Sequence, residues 1–187
     1  AAYADAIATY LGFVPSALAN LSSGITTWRV PAESPRTTFA RQALPMAWDF
    51  VESDAIAKAE GVVDRISLAI AALPLGHGYA EQRDAIQAVD RAILISTDPP
   101  YYDNIGYSDL SDYFYVWLRR TLRDVHPALL STMLVPKAEE LVANPYRHGG
   151  REGASHFFED GFERVFANAR RFADGECPIT VYYAFKQ

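Results

Sequence analysis

Four consecutive residues, Asp98-Pro99-Pro100-Tyr101, combine groups that could do chemistry on an aromatic amine. The exocyclic amine of adenine or cytosine is a poor nucleophile because its lone pair is delocalised into the ring. The Asp98 carboxylate and the Pro99 carbonyl could hold the amine hydrogens and draw that lone pair back onto nitrogen. The ring of Tyr101 could stack on a base pulled out of its duplex. We therefore predict that residues 98–101 form a catalytic loop.

The segment before this loop predicts a buried strand. Residues 92–95, Ala-Ile-Leu-Ile, are apolar without polar alternation, as in a parallel strand covered by helices on both faces. Proline cannot donate to a strand ladder, so the strand should end at Asp98 in a stiff, extended loop. Ligands bind at the carboxyl ends of strands in open α/β sheets, where this loop would lie.

The segments after the loop predict two helices and a further strand. Apolar residues recur with helical spacing over residues 110–122, with Ser108 or Asp109 as N-cap, and should pack against the sheet. A second helix capped by Ser155 would end near residue 175. The β-branched and aromatic residues 179–185 would form the next strand, which completes a strand–helix–strand crossover.

The N-terminal part of the chain predicts a mainly helical region. The expected elements are a helix over residues 2–22, a short strand over 25–30, a linker over 31–36, a helix over 37–51 and a helix over 53–74. Pro15 would kink or end the first helix, Pro45 would interrupt the second, and Ser53 would cap the third. We expect a helical region over residues 1–75 and a catalytic region over residues 76–187.

The loop also carries a resemblance to a known family. Asp98-Pro99-Pro100-Tyr101 resembles the catalytic motif of amino-methylating DNA methyltransferases, which use S-adenosylmethionine. Its continuation through residues 102–107 and the aromatic segment 112–120 are similar to one branch, the large adenine-specific methylases with a zinc ribbon. Looser similarity covers residues 41–50, 134–141, 145–150 and 181–187. The resemblance implies an α/β, partial Rossmann-like methyltransferase fold with an N-terminal helical region, and methyl transfer to N6 of adenine in DNA.

The resemblance further implies how the cofactor is held. It places Asp84 against the adenine of S-adenosylmethionine, although Asp84 could instead be a solvated surface acid. The predicted cofactor-binding residues are Asp84 and Asp98. The family also places a strand and a glycine-rich turn against the methionine part, and no segment here has that order. We expect that motif in a missing, N-terminal remainder of the parent chain. This fragment alone should then bind the cofactor weakly and be inactive.

A second set of residues is predicted to contact DNA. Residues 144–153 pack glycines, basic residues and one aromatic into a long loop, and loops of that kind are usually functional or disordered. The stretch just before it, residues 136–141, is helix-like. A solvated surface loop is the alternative reading. The predicted DNA contacts are Asn104, Lys137, Arg147, His148 and Arg151.

Composition limits the partners. Seventeen basic against 23 acidic residues give a net charge of −6, so any contact with DNA must be local. The single cysteine, Cys177, excludes a disulfide framework or a thiolate zinc site within the chain and suits a reducing cytoplasm. The sequence contains no run of about 18 apolar residues that would predict a membrane span. The methyl transfer that the resemblance implies needs no metal. Both ends of the chain look cut.

Other function classes stay open. Asp-Pro-Pro can simply separate a strand from a loop. An RNA or protein methyltransferase could share the loop, although enzymes acting on protein glutamine typically carry Asn at the position of Asp98. A non-catalytic module that retains the fold is a further alternative.

Overall fold

The computed structural model describes residues 2–41, 43, 51–74, 76, 78–103 and 105–183. The chain divides into two compact units. The helical unit contains Ala1–Tyr79 and Asp109–Val135, and the sheet unit contains Ala80–Ser108 and Pro136–Gln187. Residues 109–135 therefore group with the N-terminal part of the chain. The boundary expected between residues 75 and 76 stays a prediction.

The helical unit is built mainly from α-helices. Its elements are α1 (Ala2–Leu21), β1 (Trp28–Arg29), a 3-10 helix (Val30–Ala32), β2 (Ser34–Pro35), α2 (Ala55–Ala72), most of α3 (Tyr107–Leu122) and α4 (Pro127–Leu130). Helix α1 continues through Pro15, so it does not end there, and the alternative of a kink at Pro15 stays a prediction. Helix α2 is capped by Asp54 rather than Ser53, because the Asp54 carboxylate accepts from the amides of Ile56 (2.9 Å) and Ala57 (3.0 Å).

Helix α1 packs less of its apolar face than its sequence predicts. Tyr3 is 82% exposed, and Leu11 is exposed as well. The buried residue of α1 is Gly12, where an added Cβ would lie 2.7 Å from the side chain of Leu122 in α3. The missing side chain at this position is what lets the two helices approach closely.

Residues 25–41 contain more structure than a strand and a linker. Strand β2 lies within the predicted linker and pairs antiparallel with β1, in the register Trp28 to Pro35. The described part of the predicted helix over residues 37–51 is not helical. Thr38 instead donates from its hydroxyl to the carbonyl of Asn20 (3.0 Å) and bonds to Thr26 (3.2 Å). Pro45 and the rest of residues 44–50 lie outside the described residues.

The sheet unit contains the strand–helix–strand order expected from the sequence. Strands β3 (Ser96–Thr97) and β4 (Thr180–Val181) are parallel, with Ser96 beside Thr180, and α5 (Arg151–Phe172) lies between them in sequence. An isolated parallel bridge joins Ile93 to Ala173. Among the described residues, β3 and β4 form a sheet of two strands. The prediction of a strand buried on both faces is therefore wrong, since Leu94 is 68% exposed.

Helix α5 begins earlier than expected. Gly150, with φ at +110°, precedes it, and Ser155 lies inside the helix, where its hydroxyl donates to Glu159 (3.0 Å). The helix ends at Phe172. The helix-like segment 136–141 is irregular instead. The core of this unit joins Ala143, Ala154 and Phe158, with Leu141 and Phe162 packed against them.

Helix α3 ends at Leu122 as expected but begins earlier, at Tyr107. Ser108 lies in its first turn rather than before it. Within the helical unit, Tyr115 and Leu122 of this helix form a cluster with Leu130, and Leu118 and Val135 pack against it. The expected packing of this helix on the sheet stays a prediction. Tyr115 lies outside the predicted stripe and is buried, because the helix also packs against the segment that follows α4.

Candidate active site

The predicted catalytic loop follows β3 directly. Asp98 lies at the carboxyl end of this strand, and its Oδ1 accepts a hydrogen bond from the hydroxyl of Tyr101 at 2.8 Å. The Tyr101 ring also meets Tyr183 edge to face, with centroids 5.5 Å apart and planes at 85°. Tyr101 therefore contacts Asp98 through its hydroxyl and Tyr183 through its ring, and its role in stacking on a base stays a prediction.

The contact with Asp98 changes the acid–base behaviour of Tyr101. Its hydrogen bond to Asp98, together with some desolvation and the negative charges of Asp98 and Tyr107, raises the pKa of the Tyr101 phenol. Burial and the charges of Asp98 and Glu140 raise the pKa of Tyr107 in the same direction. Both phenols consequently stay protonated near neutral pH, and Tyr101 stays a hydrogen-bond donor.

A cavity of about 410 Å³ opens beside this loop. Asp98, Pro99 and Pro100 form one wall, and α5 forms another. The described lining residues are Asp84, Ala85, Ile86, Thr97, Asp98, Pro99, Pro100, Glu139, Leu141, Phe157, Gly161, Phe162, Arg164, Val165 and Phe166. The structure therefore brings the two predicted cofactor residues, Asp84 and Asp98, to one cavity. Tyr101 is not among the described residues that line it.

The cavity combines apolar walls with a few charged groups. Phe157, Phe162 and other apolar residues of α5 supply the walls, and Arg164 brings a guanidinium among three carboxylates. Among the described residues, no three acidic, histidine or cysteine side chains are grouped closely enough to hold a metal ion. Arg164 was not predicted. Its spacing of seven residues from Phe157 and three from Gly161 marks the same helix face and could have indicated it.

Asp84 also has a local structural role. Its Oδ1 accepts from the amide of Ile86 at 3.0 Å, so the side chain closes a turn over residues 84–87. Asn168 of α5 donates to the carbonyls of Ala85 (2.8 Å) and Gln87 (3.0 Å). Asn168 thereby ties the turn, and with it Asp84, to the helix that forms the cavity wall. No sequence pattern pointed to this tether.

Arg147, one of the predicted DNA contacts, is engaged within the sheet unit. Its guanidinium pairs with Glu140 at 2.7 Å, and the two side chains are 19% and 12% exposed. It also donates to the Lys137 carbonyl and to the Ser108 hydroxyl, both at 3.3 Å. A phosphate contact would have to compete with these bonds. The phosphate-binding role of Arg147 stays a prediction.

Glu140 connects this network to the start of α3. Its carboxylate accepts from the Ser108 amide (2.8 Å) and hydroxyl as well as from Arg147. Burial alone would raise the pKa of the Glu140 carboxyl, but the hydrogen bonds from Ser108 and Arg147 outweigh it, and the pKa is lowered. Neither Glu140 nor Ser108 was predicted from the sequence to belong to such a network.

The other predicted DNA contacts differ in exposure. Arg151 is exposed in the first turn of α5, whereas Lys137 is partly buried. His148 stacks on Phe157 with ring centroids 3.8 Å apart, and its Nε2 is buried without a hydrogen-bond partner among the described residues. Asn104 lies outside the described residues.

Tyr102, next to the catalytic loop, has a left-handed backbone. Its φ of +34° is uncommon for a residue with a bulky side chain. The Tyr102 carbonyl accepts from the Ala143 amide at 3.0 Å, and its ring meets Phe158 edge to face at 5.0 Å. These contacts to the core hold the conformation that turns the chain sharply after Tyr101.

Comparison with protein-family models, with curated proteins and with solved structures found no match to this chain. Within the described residues, no helix has both the length and the apolar composition needed to cross a membrane.

Proposed function

We propose that this chain carries the catalytic loop of an S-adenosylmethionine-dependent methyltransferase with a partial Rossmann-like fold. Its substrate would be an exocyclic amine of a DNA base, N6 of adenine. The observation that supports this most is the position of Asp98 and Pro99 at the carboxyl end of a parallel strand, on the wall of a cavity that Asp84 also lines. Small-molecule sites of α/β proteins lie at this end of the strands.

Asp98 and Pro99 would act on the amine together. The Asp98 carboxylate accepts one amine hydrogen, and the Pro99 carbonyl accepts the other. Two acceptors in the plane of the amine hydrogens favour a nitrogen whose lone pair points out of the ring plane, towards the methyl donor. The prolines limit backbone motion, so the acceptors are held in place before the base arrives. Tyr101 would stack on the flipped base.

The residues of the cavity fit part of the cofactor. A volume of about 410 Å³ is within the range of small-molecule sites, roughly 300–1,000 Å³. The phenylalanines of α5 can cover the adenosyl rings, and Asp84 can accept a hydrogen bond from the adenine amine. S-adenosylmethionine supplies the electrophilic methyl group. None of the described strands is followed by a glycine-rich turn, so the remainder of the parent chain is the expected partner for the methionine part.

The DNA would be held locally. The net charge of −6 disfavours a broad nucleic-acid surface, and the exposed Arg151 lies at the start of the helix that forms the cavity wall. We place this activity in the cytoplasm, because a chain with a single cysteine suits a reducing compartment.

The decisive experiment is Asp98→Ala in the full-length protein. Asp98 is exposed, so its removal should leave the melting temperature unchanged, whereas the loss of an acceptor for the amine should abolish methyl transfer. Transfer of a labelled methyl group to adenine in DNA is the measurement. Asp103→Ala, an exposed acid five residues along, is the matched control and should retain turnover. An Asp98→Ala enzyme with most of its turnover would refute the proposal.

A further inference from the structure

The hydroxyl of Tyr101 and the proposed target amine need the same acceptor. The hydroxyl donates to Asp98 Oδ1 at 2.8 Å, the carboxylate proposed to hold an amine hydrogen. Stacking on a base uses the ring of Tyr101 and not its oxygen. The hydroxyl therefore has no part in the stacking, and it occupies one of the two oxygens of the carboxylate that the substrate must reach. The following inference rests on the proposed function.

The position of the Tyr101 ring also supports competition between its hydroxyl and the amine for Asp98. Tyr101 is not among the described residues that line the cavity, although Asp98, Pro99 and Pro100 are. Two contacts hold the ring where it is: the hydrogen bond to Asp98 and the edge-to-face contact with Tyr183. To stack on a base bound against Asp98, the ring must leave at least the first of these contacts.

We propose that the Tyr101 hydroxyl is an internal competitor that occupies Asp98 until a primary amine displaces it. Without substrate, the contact satisfies one carboxylate oxygen and keeps the ring beside Tyr183. An arriving amine donates an N–H to Asp98 in place of the phenol, and the released ring is then available to stack. The amine thus displaces the hydroxyl from Asp98 and releases the Tyr101 ring in the same step.

This arrangement predicts that removing the hydroxyl tightens amine binding. In wild type, the amine must replace an existing hydrogen bond, whereas in Tyr101→Phe it meets a solvated carboxylate. A net hydrogen bond corresponds to a change of about two- to tenfold in affinity. The edge-to-face ring contact with Tyr183 does not need the hydroxyl, so Tyr101→Phe should fold normally.

The test uses this chain and two nucleosides, deoxyadenosine and the purine deoxyriboside that lacks the 6-amino group. Both can stack, but the second has no donor to present to Asp98. Tyr101→Phe should bind both nucleosides about two- to tenfold more tightly than wild type, because its ring stacks without giving up a hydrogen bond to Asp98. In the Tyr101→Phe form, only deoxyadenosine should lose affinity when Asp98 is also replaced by Ala. In an Asp98→Ala background the Tyr101→Phe change should have no effect on either nucleoside. Tyr182→Phe, which removes an exposed hydroxyl nearby, is the control and should change nothing.

A second measurement needs no ligand. The ionisation of Tyr101, followed at 295 nm as the difference between wild type and Tyr101→Phe, should occur at lower pH when Asp98 is Ala. An unchanged titration overturns the inference, since the contact then does not exist in solution. Equal deoxyadenosine affinities of wild type and Tyr101→Phe, with binding still dependent on Asp98, overturn the competitor and leave the proposed function standing. Deoxyadenosine that binds Tyr101→Phe no more tightly than it binds the double variant Tyr101→Phe with Asp98→Ala overturns both.

Discussion

Two carboxylates of the sheet unit, Glu140 and Asp98, both accept hydrogen bonds from hydroxyl groups but lie in different surroundings. Glu140 is largely buried and accepts from Ser108 and Arg147. Asp98 is exposed, and Tyr101 is the donor to its carboxylate among the described residues. Both carboxylates accept from a hydroxyl, but Asp98 is more exposed to solvent and has fewer hydrogen-bond donors than Glu140.

The difference separates a structural carboxylate from one suited to a ligand. A buried acid with several donors cannot lose them without leaving polar groups unpaired, so its network contributes to folding. An exposed acid with one donor can exchange that donor for a ligand or for water at little cost. Glu140 should therefore matter for stability and Asp98 for activity, and the following changes test that division.

The largest effect is expected for Glu140→Ala. It leaves the Arg147 guanidinium and the Ser108 amide without their acceptor, and breaking such a largely buried pair typically costs about 3 kcal/mol of unfolding free energy. Denaturant unfolding measures it. Glu139→Ala, the exposed neighbouring acid, is the control and should cost much less. Equal losses of unfolding free energy at the two positions would show that the Glu140 network stabilises the fold no more than an exposed acid does.

A smaller effect is expected for Tyr101→Ala in the full-length protein. Stacking of a base on an aromatic ring is worth about 1–3 kcal/mol, so target binding or turnover should fall roughly ten- to a hundredfold. Placing the target adenine opposite a mismatch should recover part of the loss, because extrusion then costs less. If Tyr101→Ala instead lowers thermal stability and leaves DNA methylation intact, Tyr101 belongs with the structural residues.

The smallest expected effect is the pH dependence of the stability that Glu140 contributes. The pKa of Glu140 is lowered in the folded chain, so its network stabilises the fold above the ordinary value of 4.5 and loses this contribution as the pH falls through the lowered pKa. The stability difference between wild type and Glu140→Gln should therefore shrink on acidification below about 4.5. Thermal melts at stepped pH measure it. A difference that persists unchanged into strong acid would contradict the assignment.

Local sequence patterns predicted those features that depend on neighbouring residues. The apolar run before Asp98 placed the proline loop at the end of a strand, and the 3.6-residue period gave the extents of α1 and α3 closely. The N-caps were less predictable. Ser53 and Asp54 are both good capping residues, and only the backbone geometry decides which one accepts the helix amides.

Patterns failed where the answer depends on distant residues. Arg147 reads as a cation exposed in a basic loop, but Glu140 and Ser108, seven and 39 positions away, hold it inside the unit. An apolar run predicts burial without counting how many strands or helices cover it, so Leu94 was expected to be buried. The hydrogen bond from the Tyr101 hydroxyl to Asp98, three residues away, was missed for a different reason, since a motif does not show which of its members bond to one another.

The close approach of α1 and α3 limits how the sequence of this protein can drift. Leu122 fills the space in front of Gly12 and is itself packed with Tyr115 and Leu130, so it has little room to yield to a new methyl group. A larger residue at position 12 should become acceptable only after position 122 has become smaller. The exposed apolar positions of α1, such as Tyr3, carry no such condition. Variation at positions 12 and 122 should therefore be coupled over evolutionary time, whereas variation at position 3 should be independent of both.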